Sequence, residues 1–258
     1  LSGFALTWSA LLRIFPGFIV IGLLLKIAID SWRARRLQIA PAHWRFAAGA
    51  LLALALWLPL SITVGVGGHP DPSVWSAFAR NSRKHLSTPL TNNVGLPMLI
   101  SFEPASRSVH VQRFWVDSPW DVWMDARRRV FDERRIVYYV VVAAFLVLLA
   151  AACRGQEDWI VLTLGIGAIP FFVDLTSYYY GILLAFAFLW PRDPLAGPWL
   201  SLSAMLTCLI PAVFRADDDR YVAISLVIVL LVVVITIDAW RRRPAEATTS
   251  RNMTPAPA

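Results

Sequence analysis

Residues 221–240 read YVAISLVIVLLVVVITIDAW, and within them residues 225–237 hold no polar side chain except Ser225 and Thr236. About 20 apolar residues is the length an α-helix needs to cross the hydrocarbon of a bilayer. Backbone N–H and C=O groups find no water there, so such a run takes the helix, which satisfies them internally. This stretch decides the fold class: the chain spans a membrane, and the remaining question is how often.

Six further apolar runs precede it. They cover residues 4–29, interrupted by Arg13 and Pro16, then 46–66, 136–153, 159–173, 178–190 and 199–214. The run 159–173 covers only about 22 Å as a helix. It and 178–190 therefore read as two short tilted spans or as a re-entrant hairpin with its tip at residues 174–177. Both readings return the chain to the same side. Across the 258 residues, 57% are hydrophobic and 16% charged, and mean hydropathy is +0.58. Soluble domains carry about 25% charged residues, so this composition excludes an ordinary soluble domain as well as a disordered or collagen-like chain. The expected fold is all-α, a polytopic transmembrane helix bundle of about seven spans with a long, partly helical extracytoplasmic loop. It divides into residues 1–66 (two spans and an Arg-rich loop), 67–135 (the long loop), 136–240 (five transmembrane segments) and 241–258 (a disordered tail).

Charge sets the orientation. Net charge is +7, and Lys26 and Lys84 are the only lysines among 24 basic residues. A basic balance also suits nucleic acid, but arginine in short loops is what orients spans, and no nucleic-acid partner is expected. Arg33, Arg35, Arg36 and Arg45 share one side with Arg154, Arg192 and the Arg241, Arg242, Arg243 run. That side reads as cytoplasmic, with the C-terminus inside, in a bacterial inner membrane. The loop 67–135 then lies outside despite ten Lys or Arg, because loops longer than roughly 60 residues escape the rule. Seven spans with an internal C-terminus put Leu1 outside. The chain begins with Leu1 and shows no signal segment, so it reads as a piece of a longer protein. Asn252-Met253-Thr254 matches a glycosylation sequon by chance. Cys153 and Cys208 form no CxxC and read as small apolar residues.

The long loop is the informative segment. Residues 73–86 alternate Val74 and Phe78 with Arg80, Arg83 and Lys84, the pattern of an amphipathic helix at a membrane surface. Residues 85–97 are rich in polar side chains, Pro and Gly, and read as an ordered loop in which Gly95 permits left-handed backbone. Ser118-Pro119-Trp120-Asp121 reads as a helix start, with Ser118 as N-cap, Pro119 first and Asp121 as capping-box acid. Trp120 and Trp123 are expected at interface depth.

Arg13 interrupts an apolar helix, a position where a charge is costly and usually functional. It reads either as a clamp for the phosphate of a lipid-linked substrate or as a side chain snorkelling to the outer headgroups. Lys84, with His85, Asn92 and Asn93, is placed to form a cationic, hydrogen-bonding pocket over the outer face, or simply to satisfy loop turns. Asp174 with Tyr178, Tyr179 and Tyr180 marks a pocket mouth or an aromatic belt. Asp217, Asp218 and Asp219 suit a solvated helix cap better than a divalent-cation site. No cofactor is expected: the four His lie outside the spans, and no Gly-rich phosphate loop, GxSxG or HExxH occurs.

These residues together resemble a family. A basic outside helix, His85, then Asn92-Asn93-Val94-Gly95-Leu96, with Leu12-Arg13-Ile14-Phe15-Pro16 and Ser177-Tyr178-Tyr179-Tyr180, is similar to the C-terminal half of polytopic bacterial glycosyltransferases of the GT-C type. The nearest group is the polyprenyl-phosphate-dependent, mannosyltransferase-like membrane proteins, and the likeness covers about residues 5–190. The resemblance implies transfer of a sugar from a polyprenyl-phosphate carrier on the periplasmic side. Membrane lipid and the carrier would be the partners. Arg13 and Lys84 would hold phosphate, and His85, Asn92, Asn93, Asp174, Tyr178 and Tyr179 would shape the substrate site. It implies a general base in a first outside loop that this sequence does not contain, so no catalytic base is assigned. A non-catalytic membrane scaffold and a transporter are the competing readings.

Overall fold

The computed structural model describes residues 1–65, 68–111 and 118–242, without the side chains of 85–87. The tail, its sequon and Val66 lie outside the described residues. The helices in chain order are α1 (Ser2–Leu12), α2 (Val20–Ala34, led in by a 3-10 turn Phe15–Ile19), α3 (Pro41–Val64), α4 (Val74–Ser87), α5 (Leu96–Ser101) and α6 (Ser108–Val111). They continue with α7 (Pro119–Glu133), α8 (Arg135–Cys153), α9 (Asp158–Gly165), α10 (Ile169–Phe172), α11 (Ala196–Val213) and α12 (Asp217–Arg241), with a 3-10 segment Ser177–Leu189 before α11. Strands β1 (Asn93–Val94) and β2 (Leu175–Thr176) form a two-residue antiparallel bridge.

The molecule is an all-α, multi-pass membrane bundle. Among the described residues five helices are long and apolar enough to cross a membrane: Phe15–Ala34, α3, α8, α11 and α12. Three apolar helices are shorter: Ser2–Leu12, Asp158–Phe172 and Ser177–Leu189. Half of the most apolar stretch of α12 is buried, against 6% for α3, so α12 is the central post and α3 a peripheral one. Phe145 of α8 stacks on Phe171 of α10 at 3.8 Å, and Gly167 lies against Val232 of α12. Outward-facing Leu51, Leu56, Val140, Val147 and Leu230 stay exposed, the surface that lipid covers.

The run 4–29 is not one span. Arg13 is extended (φ −150°, ψ 124°) and ends α1, and Pro16 opens the next helical turn, a position where its fixed φ and missing N–H cost nothing. Gly3, at the start of α1, lies against the Phe46 carbonyl near the start of α3, and further along Trp8 stacks on Trp57 at 5.3 Å. α1 and α3 therefore run parallel, and Leu1 sits at the end of the bundle where α3 begins, the Arg-rich end. This corrects the expectation that Leu1 lies opposite.

The other Arg-rich turns gather at that end, as their composition leads one to expect. Lys26 of α2 meets Asp158 at the start of α9, Arg242 meets Asp193 at 3.4 Å, and Arg192 pairs with Glu157. α9 runs antiparallel to α2 at very close range: a Cβ on Gly22 would lie 2.1 Å from the Val161 carbonyl oxygen, and one on Gly165 equally close to that of Ile19. Such small-residue contacts are how membrane helices gain dispersion contact.

The short pair around residues 158–189 stops short because the long loop comes down to meet it. β1 pairs Asn93 with Thr176 and Val94 with Leu175. Gly95 takes φ +121°, which needs glycine, and a Cβ there would lie 2.5 Å from the Pro170 carbonyl oxygen. Its N–H donates to Ser225 Oγ at 3.0 Å, two turns into α12. Val94, Leu96 and Met98 are buried, so residues 93–101 form a plug in the loop end of the bundle.

Candidate functional site

Three acids begin α12, where the helix N-terminus favours negative charge. They are a hub rather than the solvated cap expected. Asp218 is 1% exposed. It accepts hydrogen bonds from the Ser108 N–H (2.9 Å), Ser108 Oγ (2.5 Å) and Trp123 Nε1 (3.0 Å). Asp219 holds Arg107 Nε at 2.8 Å, and Asp217 holds Arg220. Through Asp218 and Asp219 the long loop is fastened to the central post.

Helix α7 starts at Pro119 as its sequence predicts, but Ser118 makes no capping hydrogen bond. Trp123 is buried, with Trp120 stacked on it at 4.9 Å. One turn further along the same face lies Arg127, also 1% exposed. Its guanidinium packs on the rings of Trp123 (5.2 Å) and Phe102 (5.7 Å). Nη2 reaches Met98 Sδ at 2.9 Å and Asp218 at 3.6 Å. Nε and Nη1 are buried without a hydrogen-bond partner among the described residues. Burial pulls the Arg127 pKa down from its ordinary value, against the pull of Asp218 and then Asp174. Leaving guanidinium N–H groups buried and unmade costs free energy, so the arrangement points to something else that accepts from them.

Asp174 lies at the tip of the short pair, just before the bridge strand β2. Burial raises its carboxyl to about 6, opposed by the charge of Arg127 and by a hydrogen bond from the Asn93 side chain. Asn93 is itself held by donation to the Thr88 carbonyl at 3.0 Å, and Asn92 accepts from the Ser177 N–H at 2.9 Å. Asp174 and Arg127 line a cavity of about 240 Å³ with Ser101, Phe131, Tyr138 and Phe172.

A second cavity, about 100 Å³, opens beyond the same tip. It is lined by Arg13, Phe15, Asn81, Thr176, Tyr178 and Tyr179. Arg13 lies over the Tyr179 ring at 5.6 Å, and Tyr178 and Tyr179 pack at 4.3 Å. From Tyr178 and Tyr180 a third space, about 400 Å³ and mostly apolar, continues along Leu184, Leu200, Ala204, Cys208 and Leu231.

The structure thus brings Arg13, Tyr178 and Tyr179 together and puts Asp174 in the neighbouring cavity, with Asn93 supporting it. Asn92 serves the bridge through its backbone. Lys84 is exposed on α4 and lines neither cavity; the side chain of His85 lies outside the described residues. Sequence reasoning missed Arg127, Asp218 and Asn81. The signal for Arg127 was its spacing of four from Trp123, which puts both on one helix face. Among the described residues no group of three or more His, Cys, Asp or Glu is arranged to hold a metal ion. Comparison of the chain with protein-family models, curated proteins and solved structures finds no match.

Proposed function

We propose that this chain is part of an integral membrane glycosyltransferase that handles a sugar carried on a polyprenyl phosphate, at the loop end of the bundle. The observation that carries the reading is Tyr178, which lines both the Arg13 cavity and the apolar groove. A polyprenyl phosphate is an anion on a long apolar chain. It needs a cation with hydrogen-bonding groups at the head and continuous apolar surface for the tail. Arg13, the tyrosines and Asn81 supply the first, and the groove between Ser177–Leu189, α11 and α12 supplies the second. The Arg-rich end is cytoplasmic in this reading, by the rule that short cytoplasmic loops carry the excess of arginine. The membrane is then the bacterial inner membrane, and the site faces outward.

The test is binding of farnesyl phosphate to the purified protein in detergent. Arg13→Ala abolishes it and Arg13→Lys retains part of it, because the charge remains while the planar fork is lost. A bulky maleimide on Cys208, which is exposed in the groove, blocks it as well. Undiminished binding by Arg13→Ala overturns the proposal.

A further inference from the structure

We infer that the cavity between Arg127 and Asp174 is the seat of a neutral, polyhydroxylated group the size of one monosaccharide ring. The inference rests on the transferase reading for naming that group a sugar; the cavity's chemistry stands by itself.

The wall combines what a polyol needs and what an anion does not. On the donor side Arg127, 1% exposed, lines the cavity, and its Nε and Nη1 have no hydrogen-bond partner among the described residues. The Asp174 carboxylate lines the same cavity as an acceptor. The Tyr138 hydroxyl donates to the Phe171 carbonyl at 3.0 Å, so its oxygen is left to accept. Phe131 and Phe172 add flat apolar surface for the C–H face of a sugar ring.

Charge counting excludes a phosphate from this cavity. Arg127 is already countered by Asp218 at 3.6 Å and faces Asp174. Arg128 is paired with Asp125 at 3.3 Å, and Asp132 adds a further negative charge to the rim. An arriving anion meets two carboxylates and no uncommitted positive charge. A neutral ligand with hydroxyls, each both donor and acceptor, satisfies Arg127 and Asp174 together. The volume of about 240 Å³ equals roughly eight waters at about 30 Å³ each, room enough for one sugar ring. Asp174 and Tyr178 lie on either side of strand β2, so this cavity and the Arg13 cavity flank one short piece of chain, as the sugar and phosphate of one molecule would require.

The experiment titrates the purified protein in detergent with methyl glucoside, methyl mannoside and methyl galactoside. Saturation-transfer NMR and the fluorescence of Trp123, which packs on Arg127, report binding. At least one glycoside binds saturably. Asp174→Asn and Phe131→Ala each weaken it, the former by about tenfold, the loss expected for a hydrogen bond to a charged group. Arg13→Ala leaves it unchanged. Absence of saturable binding by all three glycosides overturns the inference, as does undiminished binding in both cavity variants. Inorganic phosphate competing with the glycoside also overturns it, since that marks an anion site. Glycoside binding without farnesyl phosphate binding overturns the lipid reading and leaves the polyol site standing. The opposite pattern does the reverse.

Discussion

The short apolar pair carries a charged cluster at each end, and the two are built in opposite ways. At the Arg-rich end Asp158 accepts from Lys26 Nζ at 2.5 Å and pairs with His43 Nε2 at 3.3 Å. His43 Nδ1 accepts the Ala40 N–H at 3.3 Å, which leaves the ring proton on Nε2, pointing at Asp158. Each of these groups has its partner, and the cluster ties α2, α3 and α9 together. At the loop end Arg127 keeps two buried nitrogens without a partner among the described residues, near a carboxylate whose pKa burial raises to about 6. A closed polar network holds helices in register. An open one keeps hydrogen-bonding capacity in reserve at a cost in stability, as the proposed sugar site requires.

The comparison breaks most visibly at Asp218. Asp218→Ala strands the Arg127 charge in the interior and should lower stability by about 3–5 kcal/mol. Thermal or chemical unfolding in detergent reads this directly; a variant that melts with the parent would show that Arg127 is not held by Asp218. Lys26→Ala should cost less, about 1 kcal/mol, below the range of roughly 1.5–3 kcal/mol for a hydrogen bond to a charged group because Asp158 keeps His43 and some solvent contact. The same substitution should leave glycoside binding untouched, and a loss of binding there would dissolve the distinction between the two ends.

The finest test uses pH. The Asp174 carboxyl rises from 3.8 to about 6 in the folded protein, so the native state holds that proton more tightly than the unfolded chain does. Its contribution to stability is fully present below about 4 and is lost as pH rises to about 6. Asp174→Asn has no such loss. The variant should therefore gain on the parent across that window, with the difference constant above it. Parallel curves for the two proteins would mean that burial does not govern this group.

Most of the scaffold was legible in the sequence. The runs that became α3, α8, α11 and α12 announce themselves by hydropathy, Pro119 by its position after Ser118, and the shared end of the arginine turns by charge. The Arg13 break was not, because an arginine inside an apolar run reads equally as a costly interior charge and as the end of a helix. The plug was not, since hydropathy gives no depth to a polar loop. The site was half legible. Arg13, Asp174, Tyr178 and Tyr179 stand out as polar or aromatic residues at span ends. Arg127 hides in a run of three arginines, and its surroundings come from Asp218. Trp123 meets that residue across 95 positions of chain, a distance no local pattern spans.

The seating of Gly95 on Ser225 also sets an order of events in biogenesis. The loop that carries Gly95 leaves the ribosome long before α12, yet the hydroxyl that receives it belongs to α12. Residues 93–101 and the Asp218 hub must therefore wait, undocked, while α8 to α11 are inserted. Assembly of the site is a late event, completed only when α12 joins the bundle, and a nascent chain arrested before residue 217 would hold its helices with its loop end still open.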